Sequence, residues 1–222
     1  MIVKVCGMRD PDNIRAVEQC GPDWMGMIAY ARSPRYVDGC PRRLPRKAMR
    51  WGVFVNASLD NILRKADDWQ LHGIQLHGSE TPDMCHSLQL RGFRVMKALA
   101  LLTPEDAAQA DAYADCCHYL LFDTPCTGHG GSGRPFNWLL LDQYQGHTPF
   151  LLSGGIGPDS LPALKKLCHP QWVGIDLNSR FETAPGIKDV NLLQHFIQAV
   201  RRNFPADGTT TNNPNLQKQT HP

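Results

Sequence analysis

Short apolar segments recur eight times along the chain, and most of them are followed by a signal for the start of a helix. Strands of a parallel sheet are covered on both faces and therefore read as nearly continuous apolar runs. Their alternation with helix signals is typical of right-handed βαβ units. Eight such units favour an α/β fold closed into a (β/α)8 TIM barrel over an open sheet. The predicted strands are Ile2–Cys6, Trp24–Tyr30, Trp51–Val55, Ile74–Gly78, Arg94–Leu99, Tyr119–Asp123, Phe150–Gly155 and Trp172–Asp176.

The sequence also predicts where helices begin. Asp10-Pro11, Ser58 and Thr81-Pro82 combine a capping residue with a good first turn. We expect a last helix over about 190–202 and a helix near Phe136-Asn137-Trp138. The basic segment 42–47 is interpreted as a solvated loop and helix face, and not as a polyanion site.

The length of 222 residues fits one barrel domain, which we assign to residues 1–204. Residues 205–222 are polar, rich in Thr and Asn, and lack apolar periodicity. Such a segment cannot bury enough apolar surface to offset the entropy of ordering. We expect it to be disordered.

The charge and the cysteine content of the chain give no sign of a nucleic-acid partner or of a disulfide framework. The formal net charge is only +2, which gives no reason to expect nucleic acid as a partner. The eight cysteines are scattered, without a CxxC pair, and are expected to be free thiols of a reducing cytoplasm. No segment reads as a signal peptide or as a membrane span, so no membrane association is expected.

Polar side chains stand at the predicted carboxyl ends of the strands, where barrel enzymes place their active sites. Cys6 ends the first strand, His77 the fourth, Asp123 the sixth and Asp176 the eighth, while Arg35 follows the second. One rim would thus gather a thiol, two carboxylates, an imidazole and a guanidinium.

The turns after the last two strands favour a phosphate ligand. Gly154 and Gly155 follow the seventh strand, and Asn178 and Ser179 follow the eighth. Glycines let the backbone approach a ligand, and consecutive amides at a helix start can cradle an anion. The alternative is that these turns need glycine only for their tight geometry.

Cys6 and Asp123 lie on strands that can face each other across the barrel mouth, which suits general acid-base catalysis. Cys6 can instead be a packing thiol, and Asp123 can cap the following glycine-rich loop. Arg35 can bind a carboxylate or pair with a surface acid. Lys97, inside the fifth strand, is a candidate for a Schiff base or for a buried ion pair. No HxH or HExxH spacing predicts a metal site.

Several motifs, taken together and in order, resemble the phosphoribosylanthranilate isomerase family. They span roughly residues 2–200 and comprise KVCGM at 4–8, SPRYV at 33–37, GVFVN at 52–56, QLHG at 75–78, FDT at 122–124, GGSG at 130–133, LSGGI at 152–156, GID at 174–176 and PGIKD at 185–189. Each glycine turn alone is a weak signal, but the set is specific.

The resemblance implies an enzyme of tryptophan biosynthesis with no metal and no organic cofactor. It implies an Amadori rearrangement of N-(5′-phosphoribosyl)anthranilate, with Cys6 as general base and Asp123 as general acid. Arg35 would hold the anthranilate carboxylate, with His77 and Asp176 also in contact with the substrate. The amides of Gly154, Gly155, Asn178 and Ser179 would bind the phosphate. The chain would act as a monomer or homodimer.

Two positions depart from the family pattern. Arg180 stands where the family often has glycine, and Ala29 stands where it often has an aromatic residue. The sequence leaves three other functions open. A sister isomerase of histidine biosynthesis would have aspartate at position 6 and a second phosphate turn, and a Schiff-base aldolase would use Lys97. The third is a phosphate-binding barrel without catalysis.

Overall fold

The computed structural model describes residues 1–123 and 138–205. Its eight parallel strands close into a barrel in chain order, which confirms the predicted fold. The strands are β1 (Ile2–Val5), β2 (Trp24–Ile28), β3 (Met49–Phe54), β4 (Gly73–Leu76), β5 (Arg94–Ala100), β6 (Tyr119–Asp123), β7 (Phe150–Ser153) and β8 (Trp172–Leu177). The first and last strands pair directly, with Lys4 opposite Asp176.

The helices that cover the barrel are α1 (Pro11–Gln19), α2 (Leu59–Asp68), α3 (Pro82–Gln89), α4 (Pro104–Gln109), α5 (Leu161–Leu164) and α6 (Val190–Asn203). Three predicted starts are confirmed, because the side chains of Asp10, Ser58 and Thr81 each accept a hydrogen bond from the backbone N–H three residues on. Asp189 caps α6 in the same way. These caps satisfy amides that the helix itself leaves free.

The predicted alternation is wrong in one connection. Residues 29–48, between β2 and β3, contain no helix, so the interpretation of segment 42–47 as partly a helix face is also wrong. Pro34, Pro41 and Pro45 lie in this stretch and oppose helix formation because proline lacks an amide proton. Instead, one carboxylate oxygen of Glu18 accepts hydrogen bonds from the amides of Arg46 and Lys47, both at 2.6 Å.

Three further expectations fall wholly or partly outside the described residues. The glycine-rich loop after β6 and the first two residues of the helix expected near 136–138 lie outside them, and a 3₁₀ helix spans Trp138–Gln143. The polar tail lies outside them from residue 206 onward. A short antiparallel pair that was not predicted, β9 (Glu182–Ala184) and β10 (Ile187–Lys188), follows β8.

Aromatic side chains fill the barrel interior near the amino ends of the strands. Trp24 and Trp51 lie 4.8 Å apart between ring centroids, and Tyr119 packs edge-on against Trp24. Two other apolar clusters lie between the strands and the outer helices. With these rings packed at the amino ends of the strands, the carboxyl ends form the open end of the barrel.

Among the described residues, no helix combines the length and the apolar character needed to cross a bilayer.

Candidate active site

A cavity of about 250 Å³ opens at the carboxyl ends of the strands. Four candidate reacting or substrate-binding residues line it: Cys6, His77, Asp123 and Asp176. All four residues of the expected phosphate site also line it: Gly154, Gly155, Asn178 and Ser179. The tertiary structure thus brings together residues that are distant in sequence, with Arg35 the one candidate outside the lining.

Cys6 lies at the end of β1 with its side chain almost fully buried. Burial raises the pKa of the Cys6 thiol, and the positive charges of Lys4 and Lys188 only partly oppose this effect. The neighbouring strand leaves room for the sulfur, because a Cβ atom on Gly26 would lie 2.8 Å from Sγ of Cys6 and 3.2 Å from Nζ of Lys4. Burial therefore favours the neutral thiol of Cys6 in the free protein, while the two lysines favour its thiolate.

Lys4 is the functional neighbour of Cys6 that sequence reasoning missed. It lies on β1, two residues before Cys6, which directly follows this strand, so both side chains face the interior. Its Nζ donates a hydrogen bond of 3.0 Å to Oδ2 of Asp176. Burial alone would lower the pKa of Lys4, but Asp176 and Cys6 raise it above its ordinary value. A lysine in an otherwise apolar strand was the available signal.

Asp176 has one oxygen to offer a ligand. Burial raises the pKa of its carboxyl although Lys4 opposes this. While Oδ2 accepts from Lys4, the buried Oδ1 has no hydrogen-bond partner within the described residues. A buried acceptor without a partner is costly, so a donor supplied by a ligand would be stabilising.

Asp123 and His77 form a pair on the opposite side of the cavity. Oδ2 of Asp123 lies 3.2 Å from Nε2 of His77, whose Nδ1 lies 2.9 Å from Nε2 of Gln75. Burial would raise the pKa of Asp123, but hydrogen bonding and charge from His77 outweigh it and lower the pKa below its ordinary value. The alternative role of Asp123 as a cap on the following loop falls outside the described residues.

Arg35 is held by a buried acid. Its Nε donates to both oxygens of Glu182, at 2.9 and 3.0 Å, and its Nη2 donates to Oε2 at 2.6 Å. Lys188 also donates to Glu182, at 2.7 Å. The Arg35 side chain crosses above Gly7, where a Cβ would lie 2.6 Å from its Cδ. Gly7, at φ +77°, thus has both a conformational and a steric reason to be glycine.

The two late turns have the backbone geometry that the glycines suggested. Gly154 and Gly155 adopt φ of +81° and +68°, which disfavours any side chain there. Ser179 begins a short 3₁₀ helix directly after Asn178, whose Oδ1 accepts a hydrogen bond of 2.7 Å from Lys188. These turns line the cavity, and backbone amides in turns of this kind can bind an anion.

The two departures from the family pattern take different places. Arg180 lines the cavity mouth and pairs with the exposed Asp159 at 3.2 Å. Ala29 packs against an outer apolar cluster.

Lys97 does not line this cavity. Its buried Nζ donates to the carbonyl of Gly78 at 2.6 Å and lies 3.3 Å from Oε2 of Glu80. These contacts favour the ion-pair interpretation of Lys97 over a Schiff-base nucleophile.

A larger depression of about 530 Å³ lies elsewhere on the surface, beside the connection from β2 to β3. Arginines line it, but Arg50 uses its guanidinium on the carbonyls of Gln70 and Pro45. This depression contains none of the candidate catalytic residues. The smaller cavity at the carboxyl ends of the strands, here named the rim cavity, is lined by Cys6, His77, Asp123 and Asp176.

Comparison with known proteins agrees with this geometry. Residues 3–199 match the model of the family described as N-(5′-phosphoribosyl)anthranilate (PRA) isomerase. An N-(5′-phosphoribosyl)anthranilate isomerase of Phocaeicola vulgatus is 52% identical over 91% of this chain and 98% of its own length. That of Parabacteroides distasonis is 46% identical over 90% of this chain and 93% of its own length.

Solved structures give the same result. A crystal structure of phosphoribosyl anthranilate isomerase from Thermotoga maritima superposes with a TM-score of 0.79 at 30% identity, covering 91% of this chain and all of that one. A crystal structure of phosphoribosyl anthranilate isomerase in complex with reduced 1-(o-carboxyphenylamino)-1-deoxyribulose 5-phosphate gives a TM-score of 0.75 at 29% identity over the same shares. The chain therefore belongs to the N-(5′-phosphoribosyl)anthranilate isomerase family.

Proposed function

We propose that this chain catalyses the Amadori rearrangement of N-(5′-phosphoribosyl)anthranilate to 1-(2-carboxyphenylamino)-1-deoxyribulose 5-phosphate, a step of tryptophan biosynthesis. The observation that carries the proposal is that Cys6 and Asp123 line one cavity together with the turns at Gly154-Gly155 and Asn178-Ser179. A thiol and a carboxylate on opposite sides of a substrate can move protons at two of its atoms.

The reaction proceeds in three proton steps. Asp123 protonates the furanose ring oxygen, the C1′–O bond breaks, and the anthranilate nitrogen supplies the electron pair that forms a protonated Schiff base. Cys6, as thiolate, removes the C2′ proton, and the electrons neutralise the iminium to give an enolamine. The enolamine tautomerises to the ketone, gaining a proton at C1′ and losing one from the C2′ hydroxyl.

The electrostatics of the free chain favour the opposite distribution of protons. The pKa of Cys6 is raised and that of Asp123 is lowered, so the free protein holds a thiol and a carboxylate. The reactive form has the same number of protons but places one on Asp123 instead of on Cys6. Lys4 stabilises the thiolate, and His77, 3.2 Å from Asp123, is placed to relay a proton to it.

The family resemblance assigns the remaining contacts with the substrate, including that of Arg35, which does not line the cavity. The turn amides of Gly154, Gly155 and Ser179, with Asn178, take the phosphate, and Arg35 takes the anthranilate carboxylate. His77 contacts the sugar, and Oδ1 of Asp176, which lacks a partner among the described residues, accepts from a sugar hydroxyl. No organic cofactor or metal takes part in this mechanism.

The proposal also includes the molecular context. Residues 1–204 form the catalytic unit, as a monomer or homodimer in the cytoplasm, without a nucleic-acid or membrane partner. A Thermotoga maritima isomerase of this family is described as dimeric, and a crystal structure exists of monomers generated from it.

The test is conversion of the substrate, followed through the fluorescence of its anthranilate group, by the purified chain. We expect wild-type turnover, loss of activity in Cys6→Ser, and full activity in the matched control Cys168→Ser, whose thiol is exposed. Rescue of a tryptophan auxotroph that lacks the isomerase is the cellular counterpart. If Cys6→Ser turns over the substrate like wild type, the assignment of Cys6 is wrong. Borohydride trapping of a sugar phosphate would indicate an aldolase instead.

A further inference from the structure

Three cysteine side chains outside the rim cavity lie close together between α3 and the turn that precedes β6. The Sγ atoms of Cys85, Cys116 and Cys117 all lie within 4.8 Å of one another. Cys85 is fully buried, and the other two are 7% and 6% exposed. We propose that these three thiols form a binding site for one thiophilic metal ion, held as a three-thiolate complex.

Separate elements supply the three thiols and hold them in place. Cys85 lies on α3, while Cys116 and Cys117 form the turn between a 3₁₀ helix (Ala110–Tyr113) and β6. The carbonyl of Tyr113 accepts hydrogen bonds from the amides of Cys116 and Cys117, at 3.2 and 3.1 Å. The Tyr113 hydroxyl donates to the carbonyl of Glu80, just before α3, at 2.9 Å. The turn and the helix are therefore fixed relative to each other before any ion binds.

The spacing suits a metal with short bonds to sulfur. With a Zn–S bond of about 2.3 Å, three sulfurs around one ion lie about 4 Å apart. Small side-chain rotations would bring separations of up to 4.8 Å to that value. Thiolate ligands select soft or borderline ions such as Cu(I) and Zn²⁺ over Mg²⁺ or Ca²⁺.

The surroundings favour ionisation of one thiol. Hydrogen bonding from Cys117 lowers the pKa of Cys85 despite its burial, and the positive charge of Lys97 acts in the same direction. Burial raises the pKa of Cys116 to about 11, and the hydrogen bond with Cys85 raises that of Cys117. Metal binding would therefore release protons, and affinity would increase with pH.

The experiment is a titration of the full, reduced chain with Cd²⁺ in the presence of a phosphine reductant, followed by thiolate-to-metal charge-transfer absorbance. We expect one equivalent to bind, with affinity that rises with pH. Cys85→Ser should weaken binding by about 100-fold or more, since even groups that only support metal ligands cost 10–100-fold. The double variant Cys40→Ser/Cys168→Ser removes two exposed thiols and should bind like wild type.

A second variant and a second readout guard against misfolding. Cys117→Ser should behave like Cys85→Ser, and Cd²⁺ should raise the thermal unfolding midpoint of wild type but not of either variant. The proposal is overturned if wild type binds no more tightly than Cys85→Ser, or if the exposed-thiol variant alone loses the bound ion. Isomerase activity without added metal is independent of this outcome, because the three cysteines do not line the rim cavity.

Discussion

At the scale of single residues, the proposed acid and base carry their protons in the reverse of the reactive arrangement. Burial raises the pKa of Cys6, and His77 lowers that of Asp123. The reactive form has one proton shared between the two groups, so its population is constant between the two pKa values. It decreases below the lower pKa and above the higher one, and such limbs belong to the pair as a whole.

The pH profile of kcat/KM therefore gives a test with a change of sign. For wild type we expect activity to fall at alkaline pH as Cys6 ionises and the shared proton is lost. Asp123→Asn should lower activity by about 10²–10⁴-fold at neutral pH. Its residual activity should rise through the same alkaline range, because only ionisation of Cys6 then matters. Steady-state rates across the stable pH range measure both, and parallel profiles would contradict the assignment.

Glu182 gives a second residue-scale prediction, since it holds Arg35 by three hydrogen bonds. Glu182→Gln removes the charge that orients the guanidinium. We expect KM to increase about 10–100-fold, in line with about 1.5–3 kcal/mol for hydrogen bonds to charged groups, and kcat to change less. The control is Asp12→Asn, because Asp12 pairs with Arg15 in an exposed bridge (87% and 61% exposed). A fall in kcat with KM unchanged would place Glu182 elsewhere in the mechanism.

At the scale of elements, carboxylate contacts replace the helix that is missing between β2 and β3. Glu18 on α1 accepts from the amides of Arg46, Lys47 and Ala48. These hydrogen bonds, from Lys47 foremost, lower the pKa of Glu18 although burial opposes them. A buried carboxylate of this kind fixes the loop just before β3 begins.

We expect Glu18→Gln to reduce the free energy of unfolding by about 1–3 kcal/mol, because one charged acceptor serves several amides. The folded-state pKa is depressed, so the stabilisation is present above the unfolded pKa and is lost as the pH falls through the folded value. Wild type and variant should thus converge in acid. Denaturant unfolding at several pH values measures this, with exposed Asp67→Asn as control. An equal difference at all pH values would rule out the charge as the cause.

The sequence predicted the elements better than their connections. Apolar runs and caps such as Asp10 and Thr81 are local signals, and the structure has them at those positions. The missing helix and the β9–β10 pair depend on what the intervening chain packs against. Tertiary partners such as Glu18 are distant in sequence and leave no local pattern.

At the scale of the whole molecule, the barrel is complete without the polar tail. The helix α6 ends at Asn203, and the family match ends at residue 199. We therefore expect a chain that ends at residue 205 to retain the thermal midpoint and kcat/KM of the full chain. Calorimetry and the fluorescence assay on both chains test this. A loss of activity would assign the tail a role in the catalytic unit.

The sequence by itself determined the order of strands, the barrel and the residues at the strand ends, because these depend on local periodicity and on a fixed topology. It also identified Cys6, whose position at the end of β1 made it a candidate base. Only the tertiary structure determined which charged residues lie next to Cys6. Lys4 and Asp176 meet beside it because β1 pairs with β8. Burial and charge at that closure set the pKa of the thiol, and such quantities depend on contacts between residues far apart in the chain.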